Sequence, residues 1–431
     1  MTRPSRDEAK ERPSWLPAPG VRAERHRATM AHLASVYPCH TDAGFGERGP
    51  YVGVNVTGGG SGFFYDPFEL YASGELSNPN VLVVGDLGSG KSALVKAFLG
   101  RELAVYGPRR QVTILDPKGE YTPFAAAHGL PVIRLHPGGT DRLNPMDARN
   151  DPTETVHRQS LATALVAGVL GRPLDPTEDA VLGWAISTLA RTGRPFTLAD
   201  VAAILADPAD ELVSLSRRTP LELTHAATPV IFAVDKLLTR TLAGMFDGPT
   251  SVRIDWDHGP GFVIDLSAVW GDDDALPLVM LAATSWLAAT LQRDSERRVL
   301  QVIDEAWAAV RHGAHHFQGS LKLSRTFGVS TWLICHRPAD LSAQADDGTA
   351  VAKIAAGLMS DIQSRVIFRQ PPDQVSAAAD LFALSERERD WIGQLVRGRA
   401  LWRLQRRGAV VATVLTHNER RLADTDGAMR A

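Results

Sequence analysis

Short apolar runs alternate with longer segments of helical periodicity over most of this chain. The runs are Val81 to Gly85, Val112 to Asp116, Val132 to Leu135, Phe262 to Leu266, Leu300 to Asp304, Ser330 to Cys335 and Arg365 to Phe368. Most are β-branched and continuously apolar, the pattern of strands covered on both faces. Helical segments separate many of them, notably Ser92 to Val105, Leu276 to Leu291 and Val351 to Leu358. This alternation predicts an α/β fold with a mostly parallel, doubly wound sheet. Hairpins flank it. Val52, Val54 and Val56 alternate before a Gly58 to Gly62 turn and Phe63-Phe64-Tyr65, and Leu401 to Leu404, a Gln-Arg-Arg-Gly turn and Val410 to Leu415 read as a closing C-terminal β-hairpin.

The same pattern divides the chain. Residues 1–48 are rich in Arg, Pro, Glu and Ser, with one helix-like piece from Val21 to Val36, and read as a flexible polar leader. Residues 49–149 carry the first part of the core. Residues 150–245 hold Ala, Leu and Val at helical spacing, with cap residues Asp175 and Thr177 before Glu178 and Thr197 before Asp200, and are expected to be an all-helical insertion. Residues 246–431 resume the core. The uncharged stretch from Ala275 to Leu291 contains Pro277, Thr284, Ser285 and Thr290 and falls short of a membrane span, so a buried helix is expected.

Composition adds exclusions. A net charge of -3, from 46 basic and 49 acidic side chains, gives no whole-molecule field that would gather polyanions, so any nucleic-acid contact must be a local patch. Cys39 and Cys335 lie far apart without metal-type spacing, which suggests neither a disulfide framework nor a zinc site. With no apolar run near the start, the expected location is cytoplasmic, including a peripheral position at the inner face of the cell membrane.

Candidate chemistry begins at Gly85-Asp86-Leu87-Gly88-Ser89-Gly90-Lys91-Ser92, which follows the run Val81 to Val84 and opens a helix bearing Leu94, Val95 and Phe98. In a phosphate-binding loop of this spacing, glycines turn backbone N–H groups inward and a helix N-terminus adds partial positive charge. Gly85, Gly88, Ser89 and Gly90 would line the phosphates, Lys91 would bridge the β- and γ-phosphates of ATP, and Ser92 would offer a hydroxyl to Mg²⁺. The glycines at 58–60 lack a following Lys-Ser and lead into aromatic residues, so they read as a turn. A second motif, Val299 to Glu305, is an apolar strand ending in two acids. Asp304 suits the Mg²⁺ shell and Glu305 the activation of a water, although two acids capping the next helix give a plainer account.

Further candidates come from strand ends. His336, after the strand ending at Cys335, is either a sensor of the γ-phosphate or a surface histidine. Arg325 and Arg337 are candidates for an arginine finger supplied across a subunit boundary. Asp116, in Asp-Pro-Lys-Gly-Glu-Tyr, ends a strand at the sheet's carboxyl edge, where ligands bind in such folds. His312, His315 and His316 lack a carboxylate or thiol partner at ligand spacing and read as a loop. Trp391, Arg397, Arg399, Trp402, Arg403, Arg406 and Arg407 fit either a nucleic-acid channel or a solvated hairpin with a snorkelling arginine face.

Taken with Asp-Pro-Lys-Gly-Glu-Tyr, Leu143-Asn144-Pro145 and Ile303-Asp304-Glu305-Ala306-Trp307, the phosphate loop makes the chain resemble the TraC-type conjugative-transfer ATPases of the FtsK and HerA superfamily from about Gly53 to Leu415. The resemblance implies a RecA-like P-loop NTPase, usually a homohexamer, using ATP and Mg²⁺ and partnering membrane-bound channel proteins of a conjugation or type IV secretion machine. It implies nucleotide and Mg²⁺ binding by Lys91 and Ser92, a Walker B role for Asp304 and a catalytic-base role for Glu305. Two departures stand out: Cys335-His336 where the family commonly has Thr-Gln, and about fifty residues before the core where the family commonly has a large domain. A HerA-like translocase or soluble coupling protein acting on DNA is the rival motor, and a nucleotide-gated scaffold with little hydrolysis the rival of another class. A small-molecule kinase fits poorly, because the Asp-Glu pair lies far beyond Lys91. No small-molecule substrate other than ATP is expected.

Overall fold

Strands β1 (Tyr51–Asn55), β2 (Ser61–Phe64), β3 (Val81–Val84), β4 (Arg110–Asp116), β5 (Val132–Arg134), β6 (Gly261–Asp265), β7 (Arg298–Ile303), β8 (Val329–Cys335), β9 (Ser364–Ile367), β10 (Arg399–Leu404) and β11 (Arg407–Thr413) form one sheet. Their order is β2-β1-β11-β10-β9-β3-β8-β7-β4-β6-β5. The computed structural model describes residues 48–147, 154–291, 297–323, 326–337, 357 and 361–424. From β9 to β5 all pairs are parallel, and from β9 through β10, β11, β1 and β2 all are antiparallel. The expected parallel sheet and both hairpins are therefore parts of one continuous layer.

Period-2 alternation splits the interior into two cores, one per sheet face. Val81, Val83, Val112, Ile114, Val302 and Ile334 face one, with the aromatic residues Tyr65, Phe98, Tyr121 and Trp402. Leu82, Val84, Leu115, Ile303 and Leu333 face the other. The first face is covered by the helix Lys91–Tyr106, whose Phe98 ring stacks on Trp332 at 4.6 Å between centroids. The second meets the almost wholly buried helix Ala275–Leu291 and the insertion. Among the described residues no helix is long and apolar enough to cross a membrane.

Between β5 and β6 the chain forms the helices Glu154–Leu170, Pro176–Arg191, Leu198–Ala206, Asp210–Ser216 and Pro220–Lys236. Reciprocal capping boxes start three of them: Asp175 with Glu178, Thr197 with Asp200, and Thr219 with Glu222. Thr177 lies inside its helix and is not a cap. His312, His315 and His316 lie in one helix, Ala306–Leu323, rather than a loop, and the described residues contain no cluster suited to a metal ion. Beyond the final hairpin the chain forms a further helix, His417–Ala423, tied to the core by Glu419 and Arg101. The leader, Arg325, Cys39 and nearly all of the expected helix from Val351 to Leu358 lie outside the described residues.

One buried ionic group joins the first hairpin to the parallel sheet. Asp66 caps the helix Pro67–Ala72 through the N–H groups of Phe68 and Glu69, and its second oxygen accepts from Arg110 at the start of β4. Arg110 also donates to Glu102, 2.7 Å away. One guanidinium thus faces two carboxylates. Burial, with the Asp66 charge adding and Arg110 opposing, pushes the Glu102 carboxyl up to about 8.

Two outcomes follow. Arg110→Leu should cost about 3–5 kcal/mol in denaturant unfolding, because it leaves the buried Asp66 and Glu102 carboxyls without their shared donor. Because the folded protein holds the Glu102 proton more tightly than the unfolded chain, this group's stabilisation is complete below its ordinary range and is lost as pH rises to about 8. Glu102→Gln should therefore flatten the fall in stability between those limits, as unfolding midpoints measured across that window would register.

Candidate functional site

The carboxyl ends of β3, β8, β7 and β4 lie side by side, with Val84 opposite Cys335, Ile303 opposite Leu333 and Leu115 opposite Ile303. The next residues, Gly85, His336, Asp304 and Asp116, therefore emerge along one edge. A larger cavity of about 970 Å³ lies at the opposite edge, beside Gln111 and Val299 near the strands' amino ends, away from the expected chemistry.

Close packing shapes the phosphate loop. A Cβ on Gly85 would come within 2.4 Å of Phe368 Cβ, so only glycine passes there. The loop ends at Gly90, whose φ of +110° places it at the N-cap of Lys91–Tyr106 with no side-chain acceptor over the first-turn N–H groups. Lys91, 6% exposed, donates to the carbonyls of Gly85 (2.6 Å) and Asp86 (3.0 Å). Burial lowers its pKa, against the opposing pull of Asp304 and Glu305. The Ser89 hydroxyl is buried and has no protein partner. Beside the loop, Ala93, Leu94, Gly398, His417 and Arg420 line an open cleft of about 550 Å³.

Asp304 and Glu305 follow β7 and are both buried. The Asp304 N–H donates to the Leu115 carbonyl, and its Oδ1 accepts from the Glu305 N–H at 3.0 Å. Glu305 has φ +51°, a conformation costing about 1–2 kcal/mol outside glycine. That turn aims its carboxylate along the sheet edge.

There it meets three donors. Lys118 Nζ lies 2.5 Å and His336 Nε2 2.7 Å from Oε1, while Trp307 Nε1 donates to Oε2 at 2.7 Å. Burial would raise the Glu305 pKa, but His336 and Lys118 outweigh it and hold the carboxyl at about 2. Asp304 moves the other way, to about 7, through burial and then the Glu305 charge. Two adjacent acids are thereby set far apart in proton affinity. His336 Nδ1 also faces Lys91 Nζ at 3.2 Å. His336 thus stands between the two, Nδ1 toward Lys91 and Nε2 toward Glu305, and links the phosphate-loop lysine to the carboxylate.

Asp116 stands on this edge, but its two oxygens accept from the N–H groups of Glu120 (3.1 Å) and Tyr121 (2.8 Å). It braces the loop that carries Lys118. Sequence reasoning took Pro-Lys-Gly for a turn and chose Asp116, and so missed Lys118. The available signal was position, since the last strand residue turns inward and the loop residue after it can reach across the edge. Trp307, noted only as a family signature, is the second residue missed. Arg337 is exposed, and its charge helps, after the Gln374 amide, to hold Asp373 down. Arg325 lies outside the described residues.

At the far hairpin, Trp402 is fully buried against Tyr65 (4.9 Å) and Phe63 (5.1 Å), while Arg403 pairs with Glu388 and Arg407 with Glu75. This arrangement favours the hairpin with an arginine face over a row of stacking aromatics.

A phosphate loop on the first strand of a parallel sheet, with an acid pair two strands away, defines a RecA-like P-loop NTPase fold. Residues 73–280 match the family model described as the central domain of helicase HerA. The chain is similar in structure to VirB4 of Thermoanaerobacter pseudethanolicus, with a TM-score of 0.71 and 19% identity over 87% of this chain and 99% of that one. It is also similar to the plasmid coupling protein TrwB in complex with ADP and Mg²⁺, with a TM-score of 0.58 and 17% identity over 90% and 93% of the two chains. With TrwB bound to a non-hydrolysable ATP analogue the TM-score is 0.58 and the identity 18%, over 93% and 96%. No curated protein matches it. The fold is that of VirB4 and TrwB.

Asp116→Ala should lower stability by about 1–3 kcal/mol in chemical denaturation, because two backbone N–H groups lose their acceptor. A change within experimental scatter would mean that this loop holds its shape without the carboxylate.

Proposed function

We propose that this protein is an ATP-hydrolysing motor that energises a conjugation or type IV secretion system, through substrate transfer or assembly of the apparatus. One observation carries the hydrolytic part: Glu305, ionised and buried beside Asp304, is linked through a single imidazole to Lys91 of the phosphate loop. A binding scaffold needs no such link.

The residues fit ATP and Mg²⁺. The uncapped helix N-terminus, the partnerless Ser89 hydroxyl and the Lys91 ammonium suit phosphate oxygens. The Ser92 hydroxyl and the Asp304 carboxylate are oxygen groups of the type Mg²⁺ accepts and would hold it. When bound, the ion would supply positive charge to the phosphates. The cleft beside Gly90 leaves room for the nucleoside.

Hydrolysis then needs a water aligned with the γ-phosphorus. Its oxygen forms the new bond to phosphorus, the bond to the bridging oxygen breaks with its electron pair leaving on ADP, and Glu305 takes the water's proton. His336, touching both Lys91 and Glu305, senses the γ-phosphate in place of the family's glutamine. A homohexamer would offer Arg337 or Arg325 to a neighbouring site as a finger. Membrane channel proteins would recruit the ring at the inner face of the cell membrane.

Glu305→Gln should lower ATP turnover by about 100-fold or more with nucleotide binding intact, while Lys91→Ala should lose binding itself. Turnover of the Glu305→Gln protein at the wild-type rate would sink the assignment.

A further inference from the structure

Two lysines, not one, converge on the imidazole of His336. Lys91 Nζ stands 3.2 Å from Nδ1, and Lys118 Nζ stands 3.1 Å from Nε2. Lys91 comes from the phosphate loop, and Lys118 from the loop that leaves β4, three strands away in the sheet. The Lys118 side chain is 19% exposed, sits 5.0 Å from the centre of the Trp270 ring and rests on Glu305.

The contact between Lys118 and Glu305 is a problem for catalysis. A carboxylate that receives an ammonium and an imidazole N–H on one oxygen and an indole N–H on the other has little capacity left for a water's proton. For Glu305 to act, at least the ammonium must find another partner. The only stronger acceptor that the proposed reaction brings to this edge is the terminal phosphate of the nucleotide, whose oxygens carry more charge than a single carboxylate. An ammonium is a compact point charge on a flexible stem, suited to change partners with little backbone movement.

We propose that Lys118 is a catalytic cation supplied by the subunit's own chain: it parks on Glu305 until ATP binds, then moves to the γ-phosphate, which frees the carboxylate for water. One exchange arms the base and neutralises charge that develops in transfer. ADP, lacking the γ-phosphate, leaves Lys118 on Glu305 and the site closed to chemistry. Lys118 therefore distinguishes triphosphate from diphosphate.

The inference rests on the ATPase reading, and the experiment separates the two. The full chain and its Lys118→Met and Lys118→Arg variants would be compared for kcat and KM with ATP, and for Kd of Mg-ADP and of a non-hydrolysable ATP analogue. Lys118→Met should lower kcat by about 100-fold, the scale seen when one donor to developing charge is removed. It should also lose about tenfold or more of the preference for the triphosphate analogue while ADP affinity stays near wild type. Lys118→Arg, which keeps the charge, should retain the preference and part of the rate. A Lys118→Met protein with wild-type kcat and preference would overturn the inference. A raised kcat would overturn it too, by making Lys118 a brake alone. Should Lys118→Met not fold, an Arg variant that lost the triphosphate preference would count equally against it. A wild-type chain that never hydrolyses ATP would overturn the ATPase reading instead, while the ratio of the two binding constants would still read the role of Lys118.

Discussion

The site depends on one carboxylate. Glu305 is the point at which four loops become one unit, because its oxygens hold Lys118 from the β4 loop, His336 from the end of β8 and Trp307 from the following helix, and His336 in turn touches Lys91 after β3. In a buried setting such contacts are strong when all partners are present and costly when one is missing. Geometry at this edge is therefore shared: moving any one of these groups changes the environment of the rest. This coupling suits a motor, in which the phosphate-bound state must be felt beyond the phosphate loop.

The parallel register makes the coupling feasible. In a parallel sheet the strand ends align on one side, and the order β3-β8-β7-β4 sets the phosphate loop, His336, the acid pair and the lysine loop in sequence along it. The two cores fix that order from both faces, while the Asp66, Arg110 and Glu102 group locks the antiparallel extension to β4. A protonated Glu102 leaves that group with one positive and one negative charge, which explains how three ionisable side chains are tolerated in the interior. The insertion packs on the face opposite the phosphate-loop helix, so its helices cover the sheet without blocking the edge.

The split between Asp304 and Glu305 shows why adjacent acids need not share a role. Asp304 lies back toward β4 and is pushed to about 7 by burial, whereas Glu305, turned outward by its left-handed backbone, gathers two basic neighbours and falls to about 2. Two neighbouring carboxyls thus differ in proton affinity because their surroundings differ.

Local chemistry made much of this legible in the sequence. The phosphate loop, the acid pair at a strand tip, the capping boxes and the alternating hairpins each lie within a few residues, and neighbours in the chain suffice to specify them. The stretch holding the three histidines reads as a loop because Arg311 to Ser320 is rich in polar residues and glycine, whereas burial of Ala308, Ala309, Val310 and Leu321 holds the whole segment against the core as a helix. Asp116 reads from the sequence as a residue near the nucleotide, and only the folded turn brings the Glu120 and Tyr121 amides onto its carboxylate. Lys118 and Glu305 are separated by the whole insertion and three strands, and nothing local to either names the other. Their meeting was decided by the pairing of β4 with β7, a long-range choice set by burial on both faces of the sheet rather than by any motif.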